Sequence, residues 1–180
     1  MKGNLGPTKG MTLVEVMLAL TVMTTGMLGT LSLFSAGLNA VLRNRAKLTA
    51  AVLAQDLLEE ILTKAWQDPV TPGEALGPDT GESRSGATPE AVFDDMDDYN
   101  NFNESPPTTV EGDLMNGTAV FSGQTLPDYG SYRRSVVVEY VDEDLSASTV
   151  SQTDYKRITV TVGYSTRGNF IVSQIVARHE

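Results

Sequence analysis

The sequence predicts an α+β fold: one very long N-terminal helix, followed by an antiparallel β-sheet that its second half covers. Three observations predict it. Val16 to Leu42 holds no charged residue over 27 positions. No proline occurs between Met11 and Trp66. Three runs rich in β-branched residues then follow one another after Gly130.

The first segment, residues 1–10, is short and polar, with Lys2 and Lys9 and no acid. The apolar run comes next, within residues 11–42. As a helix rising about 1.5 Å per residue it would span roughly 40 Å, more than a hydrocarbon core of about 30 Å. A buried core helix is the other reading, but such helices rarely run so long without a charge. A secretory signal peptide would have an earlier, shorter apolar stretch and a small-residue cleavage site. Gly26, Gly29 and Gly37 are soft points in the run. They either allow close helix packing or are simply tolerated in a membrane helix.

Arg43, Arg45 and Lys47 mark a polar boundary. From residue 43 to 66 the helix becomes amphipathic. Ala50, Ala54, Leu57, Ile61 and Ala65 recur at spacings of three and four, which places them on one face. That face must be covered, and a C-terminal sheet is the available partner. Pro69, Pro72 and Gly73 are the stop signals.

Residues 67–130 are rich in Pro, Gly, Asp, Asn, Ser and Thr, and predict loops with short strands, Thr118 to Ser122 being the best strand candidate. Residues 131–180 predict the sheet. Val136, Val138 and Tyr140 share a face in Tyr132 to Val141. Ile158, Val160 and Val162 alternate with Arg157, Thr159 and Thr161 in the next run. Asn169 to Ala177 sets Ile171 and Ile175 on one side and Val172 and Val176 on the other. With Gly168 in the last turn, this reads as an antiparallel meander. Arg133-Arg134 and Lys156-Arg157 begin adjacent strands, as exposed edge residues or as partners of acids across the sheet. Trp66 reads as a packing anchor.

Composition excludes several functions. A net charge of -10 argues against nucleic acid, whose phosphates need a surplus of Lys and Arg. With no Cys there is no disulfide framework, thiolate metal site or Cys nucleophile. The single His, His179, makes a Ser-His-Asp triad or a His-rich zinc site improbable. A membrane-anchored enzyme would have to use adjacent carboxylates such as Asp95 and Asp98. No phosphate loop, nucleophile motif or His partner accompanies them, so the expectation is a protein that is not an enzyme.

Lys9-Gly10-Met11-Thr12-Leu13-Val14-Glu15, followed by the long apolar run, resembles the start of a type IV prepilin or pseudopilin. The resemblance covers about the first quarter of the chain. It implies a pilin-like fold and an inner-membrane protein with its C-terminal domain in the periplasm. It also implies cleavage by prepilin peptidase after Gly10 and N-methylation of Met11, with Phe the commoner residue at that place. Lys2 and Lys9 fit a cytoplasmic leader, while Arg43, Arg45 and Lys47 oppose that orientation.

Glu15 corresponds to the family's assembly glutamate, which pairs with the N-terminal amine of a neighbouring subunit. A carboxylate in hydrocarbon costs several kcal/mol, so it is by default functional and partnered. The plainer alternative is that Glu15 snorkels to the headgroups. The partners implied are other pilin or pseudopilin subunits, the peptidase and the membrane.

Many major pilins carry a C-terminal disulfide loop and a proline in the apolar helix; both are absent here. The stretch Phe93-Asp94-Asp95-Met96-Asp97-Asp98-Tyr99-Asn100-Asn101-Phe102 is similar to one in minor pilins of the mannose-sensitive haemagglutinin (MSHA) type, near the D subunit. A minor pseudopilin of type II secretion is the alternative. A tip-located adhesin is another, with Tyr129, Tyr132 and Tyr164 as possible glycan platforms.

Between Asp68 and Asp128 stand thirteen acids and one base, Arg84. Asp94, Asp95, Asp97 and Asp98 offer hard oxygen ligands suited to a structural Ca²⁺, although the spacing is not an EF-hand. The alternative is a solvated acidic loop pinned to the core by Phe93, Tyr99 and Phe102.

Overall fold

The computed structural model describes residues 10–68, 73, 75–86, 88, 91–121, 123–149, 151–164 and 168–178. Lys2, Lys9, Pro69, Pro72 and His179 lie outside them. The chain divides between Asn44 and Arg45 into two units. Helix α1, Leu13–Leu62, contributes to both.

In the first unit the apolar side chains are exposed: Leu13 is 79 % and Leu33 75 % accessible. The helix is long and apolar enough to cross a membrane. Its threonines do not burden it with free hydroxyls. Thr21 donates to the Met17 carbonyl at 2.7 Å, Thr24 to Leu20 at 2.9 Å and Thr30 to Met27 at 2.9 Å. Such back-bonding satisfies the hydroxyl inside its own helix, which lipid requires. A Cβ added at Gly26, Gly29 or Gly37 would meet nothing within 4 Å in this chain.

The second unit folds around the rest of α1. Ala50, Leu53, Ala54, Leu57, Leu58 and Ile61 are buried. The sequence identified four of these, and the face is wider than a strict stripe because Leu53 and Leu58 extend it. The helix ends at Leu62, four residues short of Trp66. The last turn tightens, with Thr63 N–H donating to Glu60 O and Lys64 N–H to Ile61 O, both at 3.1 Å. Ala65 therefore leaves the helical face. It forms a parallel bridge with Asp95 instead.

A 3-10 turn at Asp97–Tyr99 is followed by β1 (Asn103–Glu104), β2 (Val120–Phe121) and β3 (Gln124–Thr125). Then come β4 (Tyr132–Val141), β5 (Ser148–Thr149), β6 (Tyr155–Tyr164) and β7 (Asn169–Ala177). The main sheet runs β1-β4-β6-β7, with β5 also on β4, and all its pairings are antiparallel. The β2–β3 hairpin stands apart and turns through Gly123 at φ +81°, a conformation that favours glycine. The meander thus forms at the strands the sequence predicts. Register sets Val136 opposite Val160, Val138 opposite Ile158 and Tyr132 opposite Tyr164. These residues face α1 and form one core with it. Ile171 and Ile175 lie on the other, exposed face.

Two strand-opening cations depart from the edge reading. Arg134 and Lys156 are buried on the core side, because the period of two sends them inward with Val136 and Ile158. Arg133 is exposed and bonds Asn103, while Arg157 pairs with Glu139 at 2.9 Å. Lys156 is fully buried. It meets Asp97 at 2.6 Å, donates to the Trp66 carbonyl and lies 4.5 Å from the Trp66 ring centre. Trp66 does serve as an anchor, through this cation.

Arg84 is buried too. Its guanidinium grips Glu60 of α1 in a two-bond fork at 2.7 and 2.6 Å. It also donates to the Thr108 carbonyl at 3.0 Å. Glu104 lies 3.6 Å away and pairs in turn with Arg134 of β4. The Tyr99 hydroxyl donates to Glu60 at 2.7 Å. Removing one partner of a buried pair strands the other charge, at a cost of about 3–5 kcal/mol. Urea unfolding of the detergent-solubilised chain should show Arg84→Ala losing that much, with Glu59→Gln, on the exposed side, within about 0.5 kcal/mol of the parent. Equal midpoints for the two variants would sink this account.

Candidate functional site

Two groups of residues carry chemistry, one in each unit. The first is the start of α1. Gly10 and Met11 precede the helix and are exposed, Met11 by 66 %. Thr12 caps it: its hydroxyl accepts the Glu15 N–H at 3.3 Å, and its carbonyl accepts the Val16 N–H at 3.2 Å. Thr12 and Glu15 have the spacing of a capping box. That pattern was available in the sequence. It gives Thr12 a task that the resemblance to prepilins does not mention. Glu15 lies in the first turn, where a carboxylate also suits the positive end of the helix dipole.

The second group is the acidic stretch. The expectation of a solvated loop fails for most of it: Asp95, Asp97 and Asp98 are buried, and only Asp94 is exposed. The aromatic pins are as expected. Phe93 and Tyr99 are buried, and Phe93 meets Tyr99 and Phe102 edge-on, with ring centres 5.0 and 6.2 Å apart.

The carboxylates then divide by task. Asp98 Oδ2 accepts the backbone N–H of Asp94 at 2.9 Å and of Asp95 at 3.1 Å. Asp95 Oδ1 accepts the N–H of Asp97 at 2.5 Å and of Asp98 at 3.1 Å. Asp97 is bound to Lys156. The expected ligand set of Asp94, Asp95, Asp97 and Asp98 therefore does not converge on one point. The oxygens that do converge belong to Glu82, Asp94 and Asp98, all within 4.8 Å of one another. Glu82 was invisible as a member because twelve residues separate it from Asp94. A bridge between Ser83 and Val92 brings the two together. On the other side a cavity of about 10 Å³, the size of a single water, is lined by Gln67, Asp68, Asp79, Asp95, Asp97 and Asp98. The Gln67 side-chain oxygen is buried with no hydrogen-bond partner among the described residues.

Burial and crowding of like charge set the electrostatics. Asp95 is raised to about 6, by burial first and then by the charges of Asp98 and Asp97. Asp98 is also raised to about 6, chiefly by burial, with the backbone N–H bonds opposing and Glu82 adding to the rise. Asp97 is raised and Lys156 lowered, burial outweighing their mutual bond in both. Tyr99 is raised by burial and by its bond to Glu60.

The glycan platforms are less favoured by the structure. Tyr132 and Tyr164 are buried in the core and only Tyr129 is half-exposed, because the first two face α1 from paired strands. Among the proposed acid-base residues, Asp95 and Asp98 are occupied as backbone acceptors.

A family model described as the prokaryotic N-terminal methylation motif matches residues 7–31. No curated protein and no solved structure matches the chain. The motif is that of type IV pilins and pseudopilins, and it implies processing by prepilin peptidase and assembly with other pilin subunits.

Because Asp95 and Asp98 hold their protons to about pH 6 when folded but only to about 3.8 when unfolded, their contribution to stability falls as pH rises from 3.8 through 6. Melting of the solubilised chain across that range should show the fall, and Asp98→Asn should flatten it. An identical pH profile for the variant contradicts the assignment. The calcium expectation is checked at pH 7: calcium held by Glu82, Asp94 and Asp98 raises the midpoint at millimolar concentration in the parent and not in Asp98→Asn. An unmoved parent midpoint removes calcium from this loop.

Proposed function

We propose that this chain is a structural minor pilin of a type IV pilus of the MSHA type. It is held in the inner membrane by its apolar helix, with the second unit in the periplasm. It is cut by prepilin peptidase after Gly10, methylated on Met11 and assembled beside other pilins. The observation that carries this reading is the methylation motif over residues 7–31, set directly on a helix whose apolar side chains are exposed among the described residues.

The physical logic of assembly follows from that helix. Cleavage turns Met11 into a cationic terminus four residues from Glu15. A neighbour displaced along the axis by those four residues, about 6 Å, sets its amine opposite the Glu15 carboxylate. Pairing offsets the burial of both charges and fixes the axial step between subunits. The role is architectural rather than catalytic.

The Asp-rich segment from Phe93 to Phe102 and the absence of cysteine support the minor pilin over a major one. Absence of cysteine equally suits a minor pseudopilin of type II secretion. Co-purification decides between them: pilus subunits on the first reading, secretion components on the second.

Mass spectrometry of the mature protein should find methylated Met11 at its N-terminus; any other terminus contradicts the processing. Glu15→Ala should leave membrane insertion intact and reduce recovery in sheared filaments by at least about tenfold. Unchanged filament recovery would count against the charge pairing.

A further inference from the structure

The buried cation Lys156 has a chemistry that the two buried arginines lack. Arg84 and Arg134 are paired with Glu60 and Glu104, and a guanidinium keeps its proton. A lysine amine becomes a nucleophile once it gives up its proton, which a desolvated pocket favours. Among the described residues, Lys156 and Asp97 form the one ion pair between a lysine and a carboxylate.

The setting of that pair is dry. The Lys156 side chain is wholly buried and that of Asp97 is 10 % accessible. The Trp66 and Tyr140 rings stand with their centres 4.5 and 5.4 Å from Nζ. Burial of this kind favours a neutral acid and a neutral amine over the two ions. Nζ lies 2.6 Å from Asp97 Oδ1. One carbonyl bond length further, Cγ is at most about 3.8 Å from Nζ. A bound nucleophile reacts from about 3–3.5 Å, so a small shift suffices. Both groups are fixed in place. Lys156 is set by β6, between Tyr140 of β4 and Val176 of β7. Asp97 is set by the 3-10 turn, its N–H bonded to Asp95 Oδ1 at 2.5 Å. Groups held in this way react as if at about 10⁵–10⁸ M, which favours condensation over the same reaction in open water.

We propose that Lys156 and Asp97 are joined by an isopeptide bond, formed by the chain itself after it folds. Nζ bonds to Asp97 Cγ, and one Cγ–O bond breaks. Two protons pass from the ammonium to the departing oxygen, which leaves as water. The ion pair therefore becomes an amide and a water with no co-reactant. The cavity of about 10 Å³ that Gln67, Asp95 and Asp97 help to line is the size of that water. The buried Gln67 oxygen, without a partner among the described residues, is an acceptor for it. The bond removes two charges from the core and ties the 3-10 turn to β6. It also restricts the unfolded chain between residues 97 and 156, as a disulfide would. It lies wholly within the second unit and does not depend on the filament reading.

The full-length chain, extracted from membranes and denatured, is digested with trypsin and sequenced by tandem mass spectrometry. Trypsin cuts after Arg84, Arg133, Arg134 and Arg157 and, where its amine is free, after Lys156. Most chains should yield one branched peptide of residues 85–133 and 135–157, lighter by one water than its two parts. Its fragment ions should place the bond between Asp97 and Lys156. Lys156→Arg, which keeps the charge, should release 85–133 unlinked. The result on the parent needs no variant to fold. Parent chains that release 85–133 and 135–156 as separate peptides hold an ordinary ion pair and overturn the proposal. A bond at any other pair of residues, or a branched peptide that persists in Lys156→Arg, overturns it as well.

Discussion

The grip of Arg84 on Glu60 is the interaction on which the second unit depends. Thirteen acids between Asp68 and Asp128 face a single base within that region. That base is buried and spent first on a helix residue, Glu60, and then on one of its acidic neighbours, Glu104. The fork brings the loop containing Arg84 onto α1. Tyr99 reaches the same carboxylate from the 3-10 turn, and Glu104 carries the chain of charges on to Arg134 in β4. Helix, loop and sheet are thereby tied through one buried polar network in which each charge has an opposite neighbour. Such a network specifies one arrangement of the loop, because other arrangements leave a buried charge alone.

A second tie does the same work at the end of the helix. Lys156 enters the core from β6 and finds Asp97, the Trp66 carbonyl and the Trp66 ring. Between the two ties the acidic stretch is drawn inward, so Asp95, Asp97 and Asp98 are buried and only Asp94 is left to solvent. Asp95 and Asp98 respond by holding protons to about pH 6, and Glu82 is brought against Asp98. The same folding that organises the loop thus creates its electrostatic strain.

The α+β architecture was legible because its signals are periodic. An uncharged run of 27 residues, a spacing of three and four, and alternation of β-branched residues each report an environment along the chain. The start of α1 was legible because its motif is contiguous, from Lys9 to Glu15. The acidic site was legible only as composition. Its aromatic pins were correctly placed, but Glu82, Asp95 and Asp97 could not be sorted by spacing. Their tasks are set by a bridge between Ser83 and Val92 and by Lys156, which lies fifty-nine residues beyond Asp97. The helix end was missed for a related reason. Ala65 continues the helical spacing, yet pairing with Asp95 satisfies its backbone better than another turn.

The sequence by itself determined a lipid-compatible helix, a meander of three long strands and the N-terminal motif that precedes them. Each follows from local pattern, which needs no knowledge of distant contacts. Only the tertiary structure decided which charges are buried and with whom. Arg84 shows in the sequence only as the lone base of an acidic region, and Arg134 and Lys156 read either as exposed edge residues or as partners of acids across the sheet, the second of which Arg134 meets in Glu104 of β1. Their partners come from other elements, and burial makes those partnerships obligatory.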